Sequence, residues 1–233
     1  MKPAIGQITT PAPHTHHLRV LRTARYYTLG NTAAPQQIWF ALHGYGQLAG
    51  DFIRYVSDLA GAERLVVAPE AMNRFYLVQP EKAPTRDRPV GATWMTREDR
   101  ESEIADYVEY LDALYDEVAG AHAANGARVH VLGFSQATAT AARWVGHGRA
   151  RIDRLILWGG ALPPETRLAG ATTLRGVPVT YVVGTRDQYI TAEALDGERT
   201  RLNAAGVSYR LITYDGGHAI SRAVLRQLTD DDV

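Results

Sequence analysis

The stretch Val129-His130-Val131-Leu132-Gly133-Phe134-Ser135-Gln136-Ala137 joins a short apolar run to a glycine, a serine two residues later, and then small residues. A run of this length ending in glycine reads as a buried strand, and the small residues after it open a helix. The turn between them has to be sharp. It presses the positions two before and two after Ser135 against each other, where only side chains as small as those of Gly133 and Ala137 fit. A serine held on such a turn is one candidate for a nucleophile. The alternative is a bland strand-to-helix turn. Partners elsewhere in the chain decide between them.

The totals narrow the function classes. At 233 residues the chain is long enough for one core that buries roughly 70–75% of the unfolded surface. Lys and Arg number 25 and Asp and Glu 25, so the formal charge is zero; with no basic block, a nucleic-acid partner is not expected. Cysteine is absent, which removes disulfides, thiolate metal sites and a cysteine nucleophile together. No run of about eighteen apolar residues offers a membrane span, and Met1 to Gln7 lack the apolar core of a signal peptide. A soluble cytoplasmic protein is the expectation.

Residues 1–17 hold Pro3, Pro11, Pro13 and the histidines His14, His16 and His17 without any periodicity, and read as a flexible N-terminal arm ahead of a single domain over 18–233. A solvated tail accounts for these histidines better than a metal site, since no acidic or thiol partner stands near them in sequence. Leu18, Val20, Tyr26 and Leu29 suggest an edge hairpin. Ile38–Leu42, Arg64–Pro69, Arg154–Trp158 and Val177–Gly184 are apolar runs of the kind buried on both faces of a parallel sheet. Asp51, Phe52, Tyr55, Val56 and Leu59 fall at helical spacing between the first two. A longer helix carries Ile104, Tyr107, Val108, Leu111, Leu114, Tyr115 and Val118 on one face, with Thr96 as its cap. Glu101, Glu103, Asp106, Glu109, Asp112 and Asp116 occupy the other and read as a solvated face rather than a metal site. Strands alternating with helices predict an α/β fold with a doubly wound, mainly parallel sheet and helices on both faces.

Glycines directly after a buried strand let the backbone aim its N–H groups into a cleft, and His43-Gly44-Tyr45-Gly46 follow the first such strand. His43 there reads as a residue that orients the loop through hydrogen bonds. The irregular segment from Glu70 to Trp94, with Pro80, Pro84 and Pro89, is too short for a cap domain and is expected to border the site. Its aromatics serve either as substrate wall or as core. Asp187 stands three residues after Gly184, where a carboxylate can hold an imidazole in one tautomer or else cap the next helix at Thr191. Gly216 and Gly217 give His218 a flexible turn towards the cleft. Asp153, Asp196, Asp215, His130 and His147 are the competitors, and of these only Asp215 lies in a loop after a strand.

The elbow with Ser135, followed in chain order by Asp187 and His218, resembles the α/β-hydrolases, which share that order of serine, acid and histidine. Taken together, His43-Gly44-Tyr45-Gly46, Asp51-Phe52, Gly133-Phe134-Ser135-Gln136-Ala137, Gly184-Thr185-Arg186-Asp187 and Gly217-His218 are similar to the carboxylesterase and lysophospholipase group that includes the acyl-protein thioesterases. Departures are Ala137 where that group usually has glycine, and Tyr45 where a smaller or aliphatic residue is commoner. The resemblance implies an α/β-hydrolase fold without a separate cap domain, and a serine esterase acting on small-molecule esters or thioesters. It implies Ser135, Asp187 and His218 as the triad and the backbone N–H groups of Tyr45 and Gln136 as the oxyanion hole. Neither metal nor cofactor is required by that chemistry. Tyr45, Tyr76, Trp94 and Tyr189 are the expected walls of the substrate pocket. The triad alone does not separate an esterase from a peptidase or amidase on the same fold, nor from a binding protein that keeps the fold without the chemistry.

Overall fold

Strands that read as unbroken apolar runs need cover on both faces, and the computed structural model, which describes residues 13–77, 87–163, 174 and 176–230, provides it. Its strands are β1 (Tyr26–Gly30), β2 (Gln37–Leu42), β3 (Arg64–Pro69), β4 (Asn73–Tyr76), β5 (Val90–Thr93), β6 (Arg128–Phe134), β7 (Arg154–Trp158), β8 (Val179–Gly184) and β9 (Tyr209–Tyr214). The helices are α1 (Ala49–Tyr55), α2 (Arg100–Val118), α3 (Gly120–Ala124), α4 (Gln136–His147), α5 (Ala192–Ala204) and α6 (Arg222–Asp230). Seven strands form one sheet in the order β1-β3-β2-β6-β7-β8-β9, while β4 and β5 pair separately as an antiparallel ribbon. Only β1 runs against its neighbour; β3, β2, β6, β7, β8 and β9 are parallel.

Side chains alternate along each strand, so every strand feeds two cores. Ile38, Phe40, Val131, Leu155 and Tyr181 face one side with Tyr107 and Leu111 of α2 and Ala141 and Trp144 of α4. Trp39, Ala41, Leu132, Ile156 and Val182 face the other with Phe52 of α1 and Leu225 and Leu228 of α6. The sheet reverses its winding between β2 and β6, because β3 lies on one side of β2 and the later strands follow on the other. A crevice opens at the carboxyl ends of strands at such a point. The loop after β2 and the serine after β6 flank it.

Several expectations give way here. Residues 18–25 form no strand, so the edge hairpin is replaced by β1 alone, which finds its partner in β3. The preceding segment lies on the surface, tied by Arg19 to Glu109 and by Arg22 to the carbonyl of Met72. Helix α2 begins at Arg100 rather than behind a Thr96 cap; Asp99 precedes it in left-handed conformation (φ 45°), and Thr96 Oγ1 instead accepts the N–H of Glu98. Asp112 leaves the solvated face altogether. It is buried and accepts hydrogen bonds from Trp144 Nε1 and the N–H groups of Arg149 and Ala150. Of the irregular segment from Glu70 to Trp94, the two ends pair as β4 and β5, while Pro80 and Pro84 lie outside the described residues. Residues 1–12 of the arm lie outside them too; at its other end His17 meets the carboxylate of Asp99.

Candidate active site

Ser135 sits between β6 and α4 with φ 56° and ψ −116°, a combination sparsely populated by any residue but glycine. Conformations of that kind cost on the order of 1–3 kcal/mol and persist only where the surroundings dictate them. The surroundings here are backbone. A Cβ on Gly133 would lie 2.2 Å from the carbonyl oxygen of Ala137, and one on Gly160 would lie 2.4 Å from that of Ser135. Ser135 N–H also donates to the carbonyl of Trp158 at 2.8 Å, fastening the turn to the end of β7. Gly160 belongs to the same turn; glycine after the apolar run Arg154–Trp158 is visible in sequence, but that this strand lies beside the elbow strand is shown only by the pairing of β6 with β7.

His218 Nε2 lies 2.9 Å from Ser135 Oγ, and its Nδ1 lies 2.8 Å from Asp187 Oδ2. The other carboxylate oxygen of Asp187 accepts the N–H groups of Tyr189 and Ile190 at 2.8 and 3.1 Å, so the carboxylate is held from both ends. Helix α5 is capped by Thr191 itself, whose Oγ1 accepts the N–H of Ala194, which leaves Asp187 without that task. The loop bearing His218 crosses directly over Gly184, where a Cβ would fall 2.4 and 2.5 Å from the carbonyl oxygens of Gly216 and Gly217. Around the imidazole, Phe134 lies at 5.0 Å, Tyr189 stands edge-on at 4.7 Å, and a Cβ on Gly159 (φ +62°) would come within 3.2 Å.

The loop after β2 is organised by His43. Its buried ring donates from Nδ1 to the carbonyl of Gly44 at 2.8 Å and accepts at Nε2 the N–H of Ala71 at 3.0 Å. One nitrogen donating and the other accepting fixes a neutral tautomer, and burial holds the pKa of His43 below the ordinary histidine value. The Gly44–Tyr45 peptide is trans, so its N–H points opposite to its carbonyl. With that carbonyl drawn towards His43 and also accepting Gln47 N–H at 3.2 Å, the Tyr45 N–H is turned away from the core. Gln136 opens α4, and its amide is one of the N–H groups that a helix start leaves without an intrahelical partner. The Gln136 side chain is tied back, Nε2 donating to Thr93 Oγ1 and Met95 O and Oε1 accepting Trp94 N–H. Gln47, which accepts the Gly44 N–H at 2.8 Å, is a further brace that no motif announced.

Trp94 is not a pocket wall. It is 2% exposed, and its indole N–H donates to the carbonyl of His43 at 2.8 Å, so it supports the loop from within the core. Tyr45, Tyr76 and Tyr189 are exposed; the Tyr45 ring packs on Phe75 at 5.1 Å, and Tyr76 lies on the small ribbon. Asp215, the rival acid, pairs with Arg186 at the surface. His130 stacks on Trp39 at 4.4 Å in β6. Among the described residues no cluster of three or more histidine and acidic side chains could hold a metal ion, and no helix is long and apolar enough to cross a membrane.

No protein-family model matches the sequence, and no curated protein does either. Solved structures do match the fold. Esterase PE8 is 21% identical with a TM-score of 0.65, covering 90% of this chain and 98% of its own. Acyl-protein thioesterase 2 from Zea mays is 16% identical at a TM-score of 0.64 over 90% and 99%. A carboxylesterase from Mesorhizobium loti is 19% identical at 0.64 over 89% and 94%. The chain has the α/β-hydrolase fold.

Proposed function

We propose that this protein is a serine hydrolase that cleaves a carboxylic ester or thioester through a covalent acyl-enzyme. The observation that carries the reading is the unbroken hydrogen-bonded series Asp187–His218–Ser135, at 2.8 and 2.9 Å, ending on a strained turn at the carboxyl edge of the sheet. Structural neighbours named as esterase, carboxylesterase and thioesterase support it.

In this mechanism His218 Nε2 takes the proton of Ser135 Oγ as that oxygen attacks the substrate carbonyl. Asp187 keeps the ring in the tautomer with hydrogen on Nδ1 and stabilises the imidazolium that forms. Negative charge moves onto the carbonyl oxygen, and the N–H groups of Tyr45 and Gln136 receive it; each such donor lowers the barrier by about 3–4 kcal/mol. His218 then returns its proton to the departing alcohol or thiol. Water, deprotonated by the same nitrogen, attacks the acyl-serine and releases the acid with Ser135 restored. No step calls for a metal or cofactor. The exposed Tyr45 and Tyr189 flank the mouth and suit short or medium acyl groups.

The test is labelling with a fluorophosphonate and mass mapping of the adduct. Modification of Ser135, abolished in Ser135→Ala, is the expected result. Modification of a different serine, or full esterase activity in Ser135→Ala, overturns the reading. Hydrolysis of an amide at a rate near that of the matching ester would make it a peptidase or amidase.

A further inference from the structure

Two aromatic residues join the three loops that carry Ser135, Asp187 and His218. Trp158 closes β7 and Tyr214 closes β9, with β8 between them in the sheet and their ring centroids 5.8 Å apart. Trp158 is fully buried. Its main-chain carbonyl accepts the Ser135 N–H at 2.8 Å, while its indole N–H reaches the carbonyl of Ala219 at 3.1 Å and the Tyr214 hydroxyl at 3.3 Å. One residue thus holds the serine turn by its backbone and the histidine loop by its side chain.

Tyr214 does the same for the acid loop and the histidine loop. Its carbonyl accepts the N–H of Thr185, two residues before Asp187, at 2.9 Å. Its hydroxyl lies 2.9 Å from the carbonyl of Gly217 and also donates to that of Ala219. Those two carbonyls bracket His218, which is the centre of a three-residue turn closed by Ala219 N–H on the Gly217 carbonyl at 2.9 Å. A hydroxyl has one proton to give, and the Trp158 indole supplies the second donor for the two carbonyls. Burial pushes the Tyr214 pKa above its ordinary value, which keeps that proton in place. The loop also lies close on the ring: a Cβ on Gly216 would come within 2.5 Å of Tyr214 Cε2.

Small displacements of the turn matter, because proton transfer needs His218 Nε2 within hydrogen-bond reach of Ser135 Oγ. We infer that Tyr214 and Trp158 are positioning residues whose side chains hold the Gly217–Ala219 turn so that His218 spans Ser135 and Asp187. The inference rests on the reading of Ser135 as nucleophile, and adds to it two side chains that act on the histidine loop through its backbone.

The experiment compares the full chain with Tyr214→Phe, which keeps the ring and removes only the hydroxyl, at a temperature where both are folded. Three quantities are read: the rate of fluorophosphonate labelling, kcat and KM on a short-chain ester, and the downfield NMR signal of the proton between His218 Nδ1 and Asp187. A fall of about 10-fold in kcat and in labelling rate is expected, with KM little changed and the NMR signal broadened or lost. Trp158→Phe should act in the same direction by about threefold, and it decides the matter if Tyr214→Phe does not fold. A lower Tm with kcat, labelling rate and NMR signal all unchanged is what a merely structural role gives, and it overturns the inference. Failure of the proposed function looks different: the parent chain itself takes no label, and the NMR signal then decides the positioning role by the same comparison.

Discussion

In the proposed mechanism His43 acts at one remove from the chemistry, since it touches a carbonyl whose peptide carries the N–H assigned to the oxyanion. Replacing it with alanine frees the Gly44 carbonyl and leaves the Ala71 N–H buried without its acceptor. The expected result is a fall in kcat of about 10²-fold, the scale of losing one oxyanion donor, with KM little changed; steady-state kinetics on a short-chain ester checks it. Asp187→Asn should cost more, about 10⁴-fold in kcat, because an amide no longer enforces the reactive tautomer. His43, Ser135 and Asp187 were legible in sequence because each stands where a buried strand meets glycine, and His218 because two glycines precede it after the last strand. Trp94 was not. An aromatic at the end of an irregular segment reads equally as wall or as core, and its bond to the His43 carbonyl follows from a fold that brings residues 43 and 94 together.

Among the elements, α2 shows how periodicity succeeds and where it fails. Its spacing identifies the apolar face, and Tyr107, Val108, Leu111 and Leu114 are buried as that spacing requires. Asp112 lies beside Leu111 and is buried too, since the tight turn after α4 brings the Arg149 and Ala150 N–H groups and the Trp144 indole to it. A polar side chain called inward by donors from another element leaves no trace in a hydrophobic pattern. Asp112→Ala strands these donors, at about 1–3 kcal/mol for each that water does not reach. A loss of about 3 kcal/mol in urea-unfolding free energy is expected, with kcat unaltered. The small residues of α4 tell the opposite story: Ala137 was visible as a position that admits only a small side chain, and a Cβ on Gly133 would meet both it and Ala141. Gly133→Val should therefore prevent a stable fold, seen as loss of cooperative thermal unfolding.

For the molecule as a whole, acid should be more damaging than the zero net charge suggests. His130 is buried with its pKa lowered to about 3, so it stays neutral in the folded state while the unfolded chain takes up a proton below pH ~6.5. The unfolded state then binds more protons, and stability falls as the pH falls through that window. At pH 5 the shift amounts to about 2 kcal/mol for this residue, and His43 adds in the same direction. Tm measured from pH 7 to 4.5 should decline, and His130→Leu should flatten the decline. Sheet order, by contrast, could not be read from the chain. Apolar runs announce buried strands, but that β6 pairs with β2 while β1 runs antiparallel on β3 is decided by contacts between residues far apart in sequence.

The separation in sequence between the three hydrogen-bonded groups has a meaning of its own. Ser135 and His218 are 83 residues apart and His218 and Asp187 are 31 apart, each borne on a loop behind a different strand. No local piece of the chain contains the proposed chemistry, and β8 must pair with β9 before Asp187 and His218 can meet. On the proposed function, the reactivity of Ser135 would be in effect a receipt for a finished sheet, and a fluorophosphonate added during refolding is expected to count completed molecules one by one.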